Sequence, residues 1–252
     1  MSESQPGEPA FSEDGLLDGR IRLRQPATGY RAAIDPVFLA AAVPAQPQQL
    51  VLEVGCGAGA AMLCLAARVL QCRIVGLEMQ RDLVRLAGDN VILNDMAPRV
   101  SVMLGDLLHP PPRLSPGAFD HVMANPPYAE AGRGTPATLP SKTTATVEGE
   151  ADLAAWVRFC LAMVRSKGAV TFIHRADRID ALIGQIAGRA GEVVLYPLWP
   201  AAGRPASRVL VRARKDTAAP ARLAAGLVLH RPDGQYTPEA DAVLREAQPL
   251  EL

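Results

Sequence analysis

The sequence predicts an α/β protein, one large domain around a seven-stranded, mostly parallel sheet with an antiparallel pair at one edge. Three observations lead there. Between about residues 50 and 187, short apolar runs alternate with stretches of helical spacing. Such alternation builds parallel strands with helices on both faces. The last two apolar runs follow one another too closely for a helical crossover, so they are expected to pair antiparallel. The chain has 252 residues, 49% of them hydrophobic, which is enough to bury a sizeable core.

Taken in order, residues 1–18 mix Ser, Glu, Pro and Gly without periodicity and read as a mobile tail, leaving 19–252 as the ordered domain. Ile21–Leu23 alternates with arginines as a short strand does. Ile34-Asp35-Pro36-Val37-Phe38-Leu39 reads as a helix start, with Asp35 as N-cap and Pro36 at the first helical position. Pro44 and Pro47 end that helix.

Leu50–Val54 opens the alternation, followed by glycines 55, 57 and 59 and a helical run to about Leu70. Arg73–Glu78 is the second strand of the series, and Arg81–Leu93 has helical spacing. Val100–Leu104 ends at Gly105-Asp106, and Phe119–Ala124 ends at Asn125-Pro126-Pro127-Tyr128. A helix over Leu153–Val164 ends near Gly168 and leads to a strand at Ala169–Ile173. Arg178–Ala187 is helical again, and strands at Glu192–Tyr196 and Arg208–Val211 flank a Pro/Gly/Arg segment. Residues 129–149 interrupt the pattern with Gly, Thr, Pro, Ser and Lys, a loop length that marks function or disorder.

The 26 basic and 26 acidic residues cancel, so no global basic field announces a nucleic-acid partner. Locally, 204–231 carries Arg204, Arg208, Arg212, Arg214, Lys215, Arg222 and Arg231 against Asp216 alone. That is either a basic face or an ordinary solvated surface. Cys56, Cys64, Cys72 and Cys160 have neither C-x-x-C spacing nor a histidine cluster beside them, so no zinc site or other metal site is implied. Three of them lie in or beside apolar runs and read as reduced, buried thiols. The acidic N-terminus lacks an apolar signal region, and no apolar run approaches the roughly 20 residues of a membrane span. A cytoplasmic protein without membrane contact is expected.

Glu53-Val54-Gly55-Cys56-Gly57-Ala58-Gly59 lies where the first strand of the series meets its helix. Glycines there let a ligand approach the backbone and keep the helix N-terminus open. With Ala60 they also satisfy a relaxed dinucleotide fingerprint, so the glycines alone leave an NAD-linked enzyme open. Glu78 and Asp106 end the next two strands. The first stands where an acid accepts ribose hydroxyls, the second where one accepts an adenine amino group. Either can instead cap a following turn. Three successive strand ends of this kind describe a nucleoside cleft.

Asn125-Pro126-Pro127-Tyr128 adds the chemistry. Two prolines stiffen the backbone and remove its N–H donors. The Asn125 side-chain oxygen and the Pro126 carbonyl can then both accept hydrogens from one –NH2 group. A planar amine is a poor nucleophile because its lone pair is delocalised. Holding both hydrogens favours a pyramidal nitrogen and stabilises the charge that develops on it. Tyr128 offers a flat face for a base, worth on the order of 1–3 kcal/mol.

Gly-rich motif, strand-end acids and Asn-Pro-Pro-Tyr together resemble the amino-methyltransferases of the S-adenosylmethionine superfamily. The flanks narrow the resemblance. Gln25-Pro26-Ala27-Thr28-Gly29-Tyr30-Arg31 leading to Ile34-Asp35, and Ala145 with Glu148, resemble the family that methylates adenine N6 beside the anticodon of valine tRNA. So do Gly203-Arg204-Pro205-Ala206-Ser207-Arg208-Val209-Leu210-Val211 and Gly234-Gln235-Tyr236-Thr237. One departure is Thr146-Val147, where the family often has a basic residue.

The resemblance implies a Rossmann-like class I fold, S-adenosyl-L-methionine as cofactor, and RNA, specifically tRNA, as partner. It places the cofactor on Gly55, Gly57, Glu78 and Asp106, beside Glu53 and Gly59 of the same motif, with Asp35 and Asn125 facing it. Asn125, Pro126 and Tyr128 would hold the target base.

Release-factor glutamine methyltransferases share Asn-Pro-Pro-Tyr but carry a helical domain ahead of the glycines. Ribosomal guanine-N2 enzymes usually duplicate an N-terminal domain, and DNA adenine enzymes need a target-recognition domain. An NAD-linked oxidoreductase would need a proton relay, whereas His109, His121, His174 and His230 are scattered. A non-catalytic cofactor module would not need Asn125 and Tyr128.

Overall fold

The computed structural model describes residues 11–27, 33–128 and 151–252. The 129–149 loop, with Ala145 and Glu148, lies outside the described residues, as do residues 1–10 and the Thr28–Arg31 part of the entry segment.

A hairpin comes first, β1 (Phe11–Leu16) pairing antiparallel with β2 (Ile21–Pro26) from Phe11↔Pro26 to Leu16↔Ile21. Residues 11–18 therefore do not belong to a mobile tail. Their acids find partners one strand away, with Glu13 bridging Arg22 and Arg24 at 2.7 and 3.2 Å. Ile21, Leu23 and Gln25 point inward, so the hairpin also contributes to the core.

Helix α1 (Asp35–Ala42) is buried along all eight residues, as its apolar run requires. Its N-cap is Ile34 and makes no side-chain cap; the N-cap role expected of Asp35 is overturned, because Asp35 already lies in the helix. There follow β3 (Leu50–Val54), α2 (Ala60–Arg68), β4 (Arg73–Glu78), α3 (Arg81–Leu93), β5 (Val100–Leu104) and β6 (Phe119–Ala124). Then come α4 (Leu153–Met163), β7 (Val164–Arg175), α5 (Ile179–Ile186), β8 (Ala190–Ala201) and β9 (Arg208–Lys215). Short strands β10 (Arg222–Leu223) and β11 (Leu227–His230) and helix α6 (Pro238–Glu246) finish the fold.

The first four strands of the main sheet have the ends read from sequence. The helix expected to run towards Gly168 stops at Met163, and β7 begins at once. A register shift between Phe119 and His121 accommodates this early start, and Gly168 comes so close to β6 that an added Cβ would lie 2.6 Å from the Asp120 carbonyl.

The sheet runs β10-β8-β9-β7-β6-β3-β4-β5, with β11 also on β8. Every pairing is parallel except the two made by β9, with β7 and with β8. The fold is the expected Rossmann-like, mostly parallel α/β arrangement, but among the described residues the sheet has nine strands, not seven. Arg222–Leu223 and Leu227–His230 pair in parallel along β8, so the antiparallel pair does not form the edge. Gly226 makes the break between them possible: φ is +80°, and an added Cβ would lie 2.2 Å from the Pro197 carbonyl oxygen.

Two apolar layers cover the sheet. Val37, Phe38, Met62, Leu63 and Ile173 belong to one, and Leu52, Val122, Cys160, Phe172 and Leu182 to the other. Strand β3 is buried on both faces and reads as a continuous apolar run for that reason. It pairs with β4 on one side and β6 on the other, so the strand order reverses here. A crevice opens at the carboxyl ends of strands at such a switch point.

Candidate active site

The two key motifs leave the sheet side by side. Val54 pairs with Ala124, so Gly55 and Asn125 each follow one member of the same register pair. Parallel neighbours lie about 4.8 Å apart, which puts the glycine loop and Asn-Pro-Pro-Tyr at one mouth.

The loop is built by positive φ. Gly55, Gly57 and Gly59 have φ of +69°, +55° and +92°, and Gly59 is the N-cap of α2. An added Cβ at Gly55 would meet Trp156 of α4 at 2.5 Å, and one at Gly59 would meet Met62 at the same distance. At Gly57 nothing lies within 4 Å. Gly55 and Gly59 are thus needed for packing, whereas Gly57 borders open space where a ligand can approach the backbone.

Glu78 closes β4 beside this loop. Its Oε2 accepts from the Gly57 amide and its Oε1 from the Gln80 amide, both at 2.9 Å. The carboxylate is therefore held at the rim in a fixed orientation. Glu53 takes a different place: it is buried beneath the loop and accepts from the Met62 amide at 2.8 Å, tying β3 to the start of α2. Burial pushes its carboxyl up to about 8, which keeps it protonated at neutral pH. Asp106 stands at the end of β5, two strands from the glycines, and serves its own turn. It accepts from the Leu108 amide at 2.9 Å and lies 3.0 Å from the exposed His109 ring.

The structure also binds residues that sequence reasoning left apart. The Tyr128 hydroxyl lies 2.7 Å from both Asp35 Oδ2 and Asn125 Oδ1. Arg208 Nε donates to the same Asp35 oxygen at 2.9 Å, and its guanidinium sits 4.9 Å from the centre of the Tyr128 ring. Arg178 donates to the Tyr128 carbonyl at 2.9 Å. Asp35 thus faces the Asn-Pro-Pro-Tyr segment across the top of the sheet.

Beneath Tyr128 lies His174, with ring centres 5.5 Å apart and tilted. It is fully buried, and among the described residues neither ring nitrogen has a hydrogen-bond partner. Burial, then the charges of Arg178, Arg175 and Arg208, press its pKa down to about 4, so the ring is neutral at physiological pH.

Sequence reasoning also missed Asn90. Fully buried on α3, it donates to the carbonyls of Ala58 and Arg24 at 2.9 and 2.8 Å and accepts from the Arg24 amide at 2.8 Å. It joins the glycine loop to the hairpin. A signal was present: Asn90 shares the helical face of Leu86, Ala87 and Val91, where an amide is out of place without backbone partners.

The stretch 204–231 does not form one basic face. Arg212 bonds the carbonyl of Leu252 and Arg214 pairs with Glu192, while Arg231 pairs with Asp233. Arg208, and Arg204 in the turn between β8 and β9, stand at the carboxyl edge of the parallel strands with Arg175. All four cysteines are buried and unlinked, as expected for inert thiols. Among the described residues no cluster of three or more potential metal ligands occurs, and no helix is long and apolar enough to cross a membrane.

A switch-point crevice with open space over Gly57 and a fixed acid at its rim has room for a nucleoside, and Asn-Pro-Pro-Tyr leaves the sheet at the same mouth. The model of the N-6 DNA methylase family matches residues 37–179, more than half of the chain, and the chain belongs to that family. It is similar to tRNA1(Val) (adenine(37)-N6)-methyltransferases of Yersinia pestis, with 30% identity over 129 residues, 51% of this chain and 52% of theirs. The chain therefore spans about half the length of the curated relatives it matches. Its fold resembles that of a predicted O-methyltransferase from Agrobacterium tumefaciens, with a TM-score of 0.72 at 24% identity over 86% of this chain and 98% of that one. It also resembles a tRNA (m1A58) methyltransferase from Aquifex aeolicus, with a TM-score of 0.55 at 14% identity over 76% and 72% of the two chains.

Proposed function

We propose that this enzyme methylates the exocyclic N6 amine of adenine in tRNA. The observation that carries the reading is the register pair Val54↔Ala124, from which methyl-donor loop and amine-binding motif emerge together. The relatives that act on adenine 37 of valine tRNA support the substrate.

When bound, S-adenosylmethionine supplies an electrophilic methyl group. In this reading Gly55 and Gly57 border its amino-acid portion, Glu78 accepts from the ribose and Asp106 from the adenine amino group. Asn125 and the Pro126 carbonyl accept the two hydrogens of the substrate amine, localising its lone pair for in-line attack. Positioning supplies most of the rate, and the methylated nitrogen becomes acidic enough to need no strong base. Tyr128, backed by Arg208 and His174, is held rigid before a base stacks on it. Arg175, Arg204 and Arg208 stand where they can meet phosphates, which gives affinity and salt dependence without base choice.

The test is methylation of RNA from cells lacking this enzyme with radiolabelled donor, followed by nucleoside mass spectrometry. Label in N6-methyladenosine of the tRNA fraction is expected. Label in protein glutamine or in guanine N2 would replace the substrate, and absence of label from every RNA would end the RNA reading.

A further inference from the structure

Two asparagines of α3 and its C-cap stand where a third strand of the hairpin would lie. Asn90 accepts from the Arg24 amide and donates to the Arg24 carbonyl, both at 2.8 Å. One turn on, Asn94 accepts from the Arg22 amide at 2.9 Å and donates to the Arg22 carbonyl at 2.7 Å. The two side chains therefore pair with the same edge of β2. They differ in what else they hold. Asn90 is fully buried, and its amide also donates to the Ala58 carbonyl at 2.9 Å. Asn94 is half-buried, and its amide turns back to the Asn90 carbonyl.

Ala58 lies between Gly57 and Gly59, whose φ are +55° and +92°. Glycines leave such a loop little stiffness of its own. Side chains from outside hold its shape, Glu78 at the Gly57 amide and Asn90 at the Ala58 carbonyl. Asn90 carries that hold onwards to the hairpin. We infer that Asn90 is a positioning residue for cofactor binding, and that the N-terminal hairpin belongs to the donor site through it. A hairpin seated on Asn90 keeps the loop in its binding shape, and a ligand on the loop keeps the hairpin seated. Such coupling is reciprocal, each event favouring the other by the same factor. The inference rests on the reading that the glycine loop receives S-adenosylmethionine. It gives Asn90 a purpose that Asn94, with the same grip on β2, does not share.

The experiment has two arms, both with the full chain and with S-adenosylhomocysteine as the probe. In the first, calorimetry compares Asn90→Ala and Asn94→Ala with the native protein, and melting temperature is the control. Both variants should melt lower, since each loses two bonds to the β2 backbone. Ile21 and Leu23 have no exposed surface and keep the hairpin packed in either variant. Asn90→Ala should bind the probe about tenfold more weakly, whereas Asn94→Ala should stay within about twofold. Equal loss of affinity in the two variants, or native affinity in Asn90→Ala, overturns the inference.

The second arm needs no variant, so it decides the matter even if Asn90→Ala does not fold. Hydrogen exchange of the Arg24 amide, bonded to Asn90, is followed by NMR in the native protein with and without the probe. Saturation should slow it about tenfold, the factor lost in Asn90→Ala, while the capped Ala240 amide of α6 keeps its rate. Binding that leaves the Arg24 amide unchanged overturns the inference alone. Native protein that does not bind the probe overturns the reading of the donor site, and the inference with it.

Discussion

Replacing His174 by Phe should stabilise the protein, and the gain should widen in acid. His174 has no exposed surface, and no described residue pairs with either ring nitrogen. A buried polar group left unpaired costs about 1–3 kcal/mol, so Phe, which keeps a ring against Tyr128, should gain about 1 kcal/mol or more at pH 7. The second effect is linkage. The folded pKa is pressed from 6.5 to about 4. As pH falls below 6.5, the unfolded chain takes up a proton that the folded chain refuses until about pH 4. Stability is therefore lost through that window and is level on either side of it. Between pH 7 and pH 5 the loss works out to about 2 kcal/mol, at 1.36 kcal/mol for each unit of difference.

Two other buried groups titrate in the same range. His121, also held at about 4, adds a loss of the same sign. Glu53, raised to about 8, acts oppositely and adds stability as pH falls from 8 towards 4.5. Both are common to native protein and variant, so the difference between the two isolates His174. The assay is urea unfolding followed by circular dichroism at pH 7 and pH 5. The gap between variant and native protein should grow by about 2 kcal/mol. A gap that stays constant would mean the imidazole has a partner in the folded protein, and the account of its enforced neutrality would be refuted.

Other perturbations separate support from contact. Gly55→Ala should cost about 2 kcal/mol or more, since its Cβ meets Trp156 at 2.5 Å and φ is positive, as thermal unfolding will read. Gly57→Ala should cost only the left-handed strain of about 1 kcal/mol yet weaken cofactor binding about tenfold, measured by calorimetry. Glu53→Gln should be nearly neutral at about pH 4.5 and gain on the native protein as pH rises towards 8, because the unfolded carboxyl ionises while the folded one stays protonated, and the advantage should then level off; a midpoint difference independent of pH would contradict the assignment. Asn125→Ala should lower turnover by about a hundredfold or more while cofactor affinity stays within a few-fold; equal loss of both would make the motif structural.

Much of the architecture was legible because its causes are local. Leu50–Val54, Arg73–Glu78, Val100–Leu104 and Phe119–Ala124 are short apolar runs bounded by turn residues, and they became strands with those ends. Glycines 55, 57 and 59 and the Asn-Pro-Pro turn carry their geometry in the residues themselves, through φ and missing donors. Asp35 shows the limit. Its sequence context, Asp before Pro, reads as a helix cap; in the fold the helix begins one residue earlier and the carboxylate serves Tyr128 and Arg208. The acids of Phe11–Leu16 likewise look unpaired until β2 folds back beside them.

Periodicity and turn chemistry act over a few residues, so the sequence by itself determined the first four strands of the main sheet, the helices between them and the two motifs. Which motif residues touch was decided only by the packing of α1 across the sheet against β6 and β9. That packing joins positions 93 and 173 residues apart, with no local constraint linking them.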